Sequence, residues 1–163
     1  MFSARSVLVL VELQQRILTT PLAPHSGVAV VEASVRLRDA FDAVAAPVVI
    51  VRHLRGDGAD EIVESLEPGR GEHLVTKTGV DAFTGTRLVS DLRDLGAKEL
   101  VIAGVSTKHG VGTTAAKALA LGLEVTVVSD ASASTTVEEH QATLWRLSED
   151  GVTVSTVAEL LAR

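Results

Sequence analysis

The stretch that decides the fold is ELVIAGVSTKHGVGTT, residues 99–114. Its first five residues form a short apolar run, which is typical of a buried strand. The glycine-containing turn at residues 104–110 then leads into an alanine-rich segment with the composition of a helix. A nucleophile held at such a strand-to-helix turn would stand at position 110, but that residue is glycine and the chain contains no cysteine. The stretch therefore predicts a strand, a tight turn and a helix, arranged like a catalytic turn without its nucleophile.

The same alternation of strand and helix extends over the whole chain. The predicted strands are residues 7–11, 48–51, 73–76, 100–103, 123–128 and 152–154. The predicted helices are residues 28–45, 85–95, 111–121 and 156–162, together with one that ends near Ser148 and is capped by Thr135 or Thr136. This order indicates parallel βαβ units with right-handed crossovers. We therefore predict an α/β fold, a three-layer α-β-α sandwich around a doubly wound, Rossmann-like sheet of six parallel strands, in a single domain over residues 1–163.

Charge and hydropathy narrow the classes of function. The formal net charge is −6, and lysine and arginine are scattered singly, so no nucleic-acid partner is expected. The first apolar run, residues 7–11, is too short for a signal-peptide core or a membrane span. We expect a cytoplasmic protein that does not bind a membrane.

No motif in the sequence indicates a cofactor or a metal. Neither GxGxxG nor GxxxxGK[ST] is present, so nucleotide binding is disfavoured. The five histidines, His53 among them, lack the spacing of a metal site. The expectation is a protein without a cofactor that acts on a small molecule.

The candidate site follows from the predicted sheet, because ligands bind beyond the carboxyl ends of parallel strands. Glu12 ends the first apolar run, where an ionised carboxylate needs a partner, and Lys77 after the third strand is the natural one. Spacing alone leaves two interpretations open. One is a pair that exchanges a proton when a substrate enters, and the other is a structural role, as a buried salt bridge or as a carboxylate bonded to backbone amides. The backbone N–H groups of His109 and Gly110 are expected to point from a helix N-terminus into the crevice, where they would bind an oxyanion or carboxylate.

Three motifs resemble the isochorismatase-like hydrolase superfamily. They are VELQ at 11–14, a lysine followed by xxxDAFxGTxL at 77–88, and IAGVSTKHGVGTTAAKALALGLEVTVVSDA at 102–131, which is the most specific of the three. The resemblance covers nearly the whole chain and implies the isochorismatase-like fold. It also implies a non-proline cis peptide between Val105 and Ser106. The substrate-binding residues that it implies are Gln14, Phe83, Val105, Ser106 and His109.

The resemblance also assigns the catalytic positions. In the superfamily's thiol hydrolases, the nicotinamidases and related amidases, an Asp, a Lys and a Cys form the triad; the matching residues here are Glu12, Lys77 and Gly110. Glycine cannot attack a carbonyl, so covalent amidase chemistry is excluded in that form. Isochorismatases proper, which hydrolyse a vinyl ether, also carry glycine at this position. By that likeness Glu12 is the general acid or base, and Lys77 positions it.

Two functional hypotheses follow from the resemblance. The first is a hydrolase of a small metabolite that uses non-covalent acid–base catalysis. The second is a catalytically inactive member that binds a small ligand or serves as an oligomeric interaction partner. Either way, the resemblance implies a homo-oligomer, a dimer or larger.

Overall fold

The computed structural model describes residues 2–56 and 60–163, and its centre is a parallel sheet. In these residues the sheet has six strands in the order β3-β2-β1-β4-β5-β6, and every neighbouring pair is parallel. The strands are β1 (Ser6–Val11), β2 (Val48–His53), β3 (His73–Lys77), β4 (Glu99–Val105), β5 (Glu124–Ala133) and β6 (Thr153–Ser155). The predicted doubly wound α/β fold is confirmed.

Helices cover both faces of the sheet. They are α1 (Gln15–Leu18), α2 (Gly27–Asp42), α3 (Leu88–Asp94), α4 (Gly112–Ala120), α5 (Val137–Glu149) and α6 (Val157–Leu161). The core on one face contains α2 and α6, and the core on the other contains α3, α4 and α5. Within the described residues, none of the helices has the length and apolar character needed to cross a bilayer.

Strand β1 shows how the sheet fills both cores. Val7, Val9 and Val11 pack against the face with α3 to α5, while Leu8 and Leu10 pack against the face with α2 and α6. Because successive side chains of a strand point to opposite faces, a strand covered on both sides must be apolar at every position. This explains the continuous run that the sequence presents.

Strand β5 is longer than the sequence predicts, since it runs to Ala133 rather than to residue 128. The extra residues include polar ones that hydrogen-bond to neighbouring backbone. Ser132 Oγ donates to the Val128 carbonyl at 2.8 Å, and Asp130 accepts a hydrogen bond from the Val157 N–H at 2.8 Å. The polar side chains therefore do not end the strand.

Two connections also differ from the prediction. Helix α3 begins at Leu88 rather than at residue 85, because Gly85 is left-handed (φ 73°) and the Thr86 hydroxyl accepts the Leu88 N–H. Helix α4 begins at Gly112, after a π-helical turn over Thr107–Val111 that the sequence did not indicate.

Strand order reverses between β1 and β4, which sets the place of the site. Val11 lies opposite Gly104 across these strands, and a Cβ atom on Gly104 would lie 2.1 Å from the Val11 carbonyl oxygen. Gly104 also has φ 126°, so only glycine fits here. The close approach brings the residues after β1 and β4 to one crevice, where ligands bind in sheets of this kind.

Candidate active site at the carboxyl ends of β1, β3 and β4

Glu12 directly follows β1 and turns the chain out of the sheet. Its backbone is left-handed (φ 51°), and its N–H still donates to the Val51 carbonyl of β2 at 2.9 Å. The residue is 5% exposed. A carboxylate is thus fixed at the end of the central strand, where burial requires that it be paired.

Basic side chains surround this carboxylate. Lys77 Nζ lies 3.0 Å from Glu12 Oε2, and on the other oxygen, Oε1, His53 Nδ1 lies at 3.1 Å and Arg55 Nη2 at 3.4 Å. Lys77 is 1% exposed and also donates to the Val80 carbonyl. We call Glu12, Lys77, His53 and Arg55 the Glu12 cluster. The ion pair expected between Glu12 and Lys77 is present, and both oxygens of the carboxylate have partners.

Gln14 fixes the backbone of His53, a member of the cluster, by hydrogen bonds. It is fully buried, its amide nitrogen donates to the His53 carbonyl at 3.1 Å, and its amide oxygen accepts the His53 N–H at 2.8 Å. These bonds clamp the end of β2 to the residues after β1. Sequence reasoning rejected His53 as a metal ligand and left Arg55 out, although β2 pairs with β1 and so places its last residues beside Glu12.

The turn after β4 has the cis peptide that the resemblance implies, between Val105 and Ser106. Ser106 then holds the turn together, because its hydroxyl accepts the His109 N–H at 3.2 Å and its carbonyl accepts the Val111 N–H at 3.0 Å. The His109 N–H was expected to bind a carboxylate in the crevice. It is instead used inside the turn.

Gly110 lies in the same turn and is buried against the Glu12 cluster. A Cβ atom built on Gly110 would lie 2.7 Å from Glu12 Oε2 and 3.3 Å from Lys77 Nζ. The structure therefore brings the three predicted catalytic positions together. The carboxylate of Glu12 occupies the space that a side chain at position 110 would need.

At the other end of the turn, Thr107 is bound to His140 of α5, with Thr107 Oγ1 2.7 Å from His140 Nδ1. His140 is 3% exposed. Burial, helped by the nearby His25, lowers the pKa of His140 to about 4, so the imidazole is neutral at pH 7. His140 lies 33 residues from Thr107 in the sequence, so only the tertiary contact shows which part of the site it supports.

A cavity of about 320 Å³ opens beside Glu12. Its lining includes Glu12, Ile17, Arg55, Val105, Ser106 and His109. The volume suits a small molecule, and apolar walls with a few convergent polar groups are typical of ligand sites. Lys77 and Gly110 do not line it, so Glu12 is the one of the three predicted catalytic residues that borders the cavity.

Comparison with known proteins identifies the family. Residues 6–159 match the family model of the isochorismatase domain. The chain belongs to the isochorismatase family. A solved isochorismatase family protein from Burkholderia thailandensis is 29% identical, covers 97% of this chain and 94% of that one, and has a TM-score of 0.90.

Two curated relatives illustrate the range of the family. The uncharacterized isochorismatase family protein YecD of Escherichia coli is 28% identical over 177 residues, which cover 96% of this chain and 94% of YecD. A probable inactive nicotinamidase of Arabidopsis thaliana is 35% identical over 108 residues, 65% of this chain and 55% of that protein. For several of the curated relatives, the chain spans about half of the relative's length.

The five substrate-binding residues implied by the resemblance do not all reach the cavity. Val105, Ser106 and His109 line it. The Gln14 amide is instead hydrogen-bonded to the backbone of His53. Phe83 packs in the core under α3 and borders a separate groove that includes Leu121.

In the parts of the chain that the structure describes, no group of three or more His, Asp or Glu side chains is arranged to hold a metal ion. The family's fold is thus present with an acidic and cationic cluster at its strand ends. The chemistry open to this cluster is proton transfer and binding of charge.

Proposed function

We propose that the protein hydrolyses a small metabolite by acid–base catalysis at Glu12, without a covalent intermediate. The observation that carries this proposal is the position of the Glu12 carboxylate, which borders the cavity while position 110 offers no side chain. Membership in the isochorismatase family supports hydrolysis as the type of reaction.

A vinyl ether is the substrate class that suits this arrangement. Glu12 takes a proton from Lys77 Nζ, 3.0 Å away, when the substrate enters, and gives it to the terminal carbon of the enol ether. The oxocarbenium ion that results is captured by water. A proton from that water returns to Glu12, and the hemiketal then divides into a ketone and an alcohol. The reaction needs a proton donor in a fixed place and no nucleophilic side chain.

Lys77 positions the acid in this mechanism. It holds Glu12 Oε2 at 3.0 Å from a fully buried location, while His53 and Arg55 hold Oε1. Both oxygens are thereby fixed relative to the cavity, and small displacements of a reacting group cost on the order of a hundredfold in rate.

The test is the turnover of isochorismate, the vinyl ether after which the family is named. Glu12→Gln keeps the shape of the side chain but removes the proton, so kcat/KM should fall at least about a hundredfold. Glu138→Gln is the matched control, because Glu138 is exposed on α5, and its kcat/KM should equal that of the wild type. Unchanged turnover in Glu12→Gln would contradict the mechanism.

A second candidate is an inactive member that binds a small ligand. It is favoured by the partners that already occupy both oxygens of Glu12, and by the Arabidopsis relative described as probably inactive. Isothermal titration with the same vinyl ether separates the two. Binding without turnover supports this candidate, and turnover that depends on Glu12 eliminates it.

Three further properties are proposed on the resemblance and the composition, namely a single domain, a homo-oligomeric state and a cytoplasmic location. Light scattering after size-exclusion chromatography tests the oligomer. A mass equal to that of one chain, 17.0 kDa, would contradict it.

A further inference from the structure

Glu12 and Gly110 fit each other closely. A Cβ atom on Gly110 would lie 2.7 Å from Glu12 Oε2, a separation that real Cβ atoms essentially never show. Oε2 is held in this place by Lys77 Nζ at 3.0 Å, and the Glu12 backbone is held by the Val51 carbonyl. The carboxylate cannot withdraw from position 110 without weakening a buried ion pair.

We propose that Glu12 and Gly110 are a coupled pair, in which the longer acid fills the place of a nucleophile at position 110 and keeps that place closed. On this inference Glu12 decides the reaction class of the site. Shortening it to aspartate removes the carboxylate oxygen from the space beside Gly110 and opens a position for a reactive thiol. The inference does not depend on the proposed hydrolysis, because it concerns the space and the charge around position 110.

The charge around position 110 suits a thiolate. Lys77 Nζ would lie 3.3 Å from a Cβ atom on Gly110, and Lys77 is 1% exposed. A buried ammonium group next to a thiol favours its deprotonated, nucleophilic form. A cysteine placed here would therefore be activated by a lysine that the chain already contains.

A second close contact has to be separated from the first. The same Cβ atom would lie 2.9 Å from Val11 Cγ1. Shortening Glu12 does not relieve this contact, so it is common to the native chain and to the Glu12→Asp variant. A double-mutant cycle cancels the shared part and leaves the interaction between positions 12 and 110.

The first experiment measures that interaction through the melting temperature. Gly110→Ala is made in the native chain and in Glu12→Asp, and the loss of Tm should be at least about 3 °C smaller in the second background. Gly79→Ala is the control, because nothing lies within 4 Å of a Cβ atom on Gly79, and its effect on Tm should be the same in both backgrounds. Equal losses of Tm for Gly110→Ala in the two backgrounds would overturn the coupling.

The second experiment measures the reactivity of a thiol at position 110 with iodoacetamide. The sulfur forms a bond to carbon as iodide leaves, and the thiol proton goes to solvent. The chain has no cysteine of its own, so all labelling reports the introduced residue. The exposed variant Ser148→Cys supplies the rate of an ordinary thiol.

The double variant Glu12→Asp/Gly110→Cys should reach half of its maximal labelling rate at a lower pH than Ser148→Cys, because a lysine beside the thiol lowers the thiol pKa whatever the access of the reagent. At pH 7 it should also label about tenfold faster than Gly110→Cys alone, in which Glu12 still fills the space. Equal rates for the single and double variants would overturn the inference. Neither experiment measures turnover, so a failure of the proposed hydrolysis leaves both readouts unaffected.

Discussion

Two buried polar groups hold opposite ends of the turn over Thr107–Val111, and they are built on different principles. At one end Gly110 packs against the Glu12 cluster, where ion pairs compensate a buried carboxylate. At the other end Thr107 binds His140, whose burial keeps the imidazole neutral. The charged group borders the cavity, and the neutral one lies on α5. We therefore expect substitutions that remove a charge to destabilise the protein at the Glu12 cluster, and changes of pH to destabilise it at the contact between Thr107 and His140.

Lys77→Met is the change with the largest expected effect. It leaves the buried carboxylate of Glu12 without its closest partner, and breaking a buried ion pair from one side costs about 3 to 5 kcal/mol of the free energy of unfolding. Chemical denaturation measures the loss.

Two controls belong to this experiment. Lys98→Met removes an exposed lysine and should change the free energy of unfolding by no more than about 0.5 kcal/mol. Glu12→Gln/Lys77→Met removes both charges and should recover part of the loss, because no unpaired charge is left. A loss below about 1 kcal/mol in Lys77→Met would mean that His53 and Arg55 compensate the carboxylate without it.

The second prediction tests the neutral end of the turn by pH. The pKa of His140 is about 4 in the folded protein, and burial has lowered it from the ordinary value of 6.5. The unfolded chain takes up the proton first as pH falls. The stability that the neutral imidazole provides is therefore complete above pH 6.5, and about 3 kcal/mol is lost between pH 6.5 and 4.

The measurement is the free energy of unfolding against pH for the wild type and for His140→Asn. Their difference should narrow as pH falls from 6.5 to 4 and stay constant above pH 7. Parallel curves would show that another group is responsible. An NMR titration of the His140 ring, with His25→Asn as the control for the neighbouring imidazole, gives the pKa directly.

Much of the fold follows from the sequence, because buried parallel strands are continuous apolar runs. The runs at residues 7–11 and 48–51 predict β1 and the start of β2 for this reason. The end of β5 does not follow, since Ser129, Asp130 and Ser132 have a loop composition. Their hydrogen bonds to β5 itself, to β6 and to the start of α6 exist only once the chain is folded.

The site divides in the same way. Glu12 follows β1 and Lys77 ends β3, and parallel strands end at one edge of the sheet, so the meeting of these two residues is predictable from the order of the strands alone. The directions of the Gln14 and Phe83 side chains do not follow from the order of the strands. Gln14 comes after the left-handed residue Glu12, and Phe83 lies in the loop between β3 and α3. The hydrogen bond between Thr107 and His140 joins residues that are 33 positions apart, so no local sequence pattern predicts it.

Arg55→Gln is the smallest of the expected effects and sharpens the comparison inside the charged group. Arg55 Nη2 lies 3.4 Å from Glu12 Oε1, but the Arg55 side chain is 47% exposed, whereas Lys77 is 1% exposed. A solvated partner contributes less than about 1 kcal/mol, and this contribution should vanish in 1 M salt, where the screening length is about 3 Å. The loss in Lys77→Met should persist in the same salt, because a buried pair is screened much less. Arg55→Gln could instead lower the free energy of unfolding as much as Lys77→Met does, or its loss could persist equally in 1 M salt. Either result would show that solvent exposure does not determine how much each partner contributes, and that the carboxylate depends on all of its partners alike.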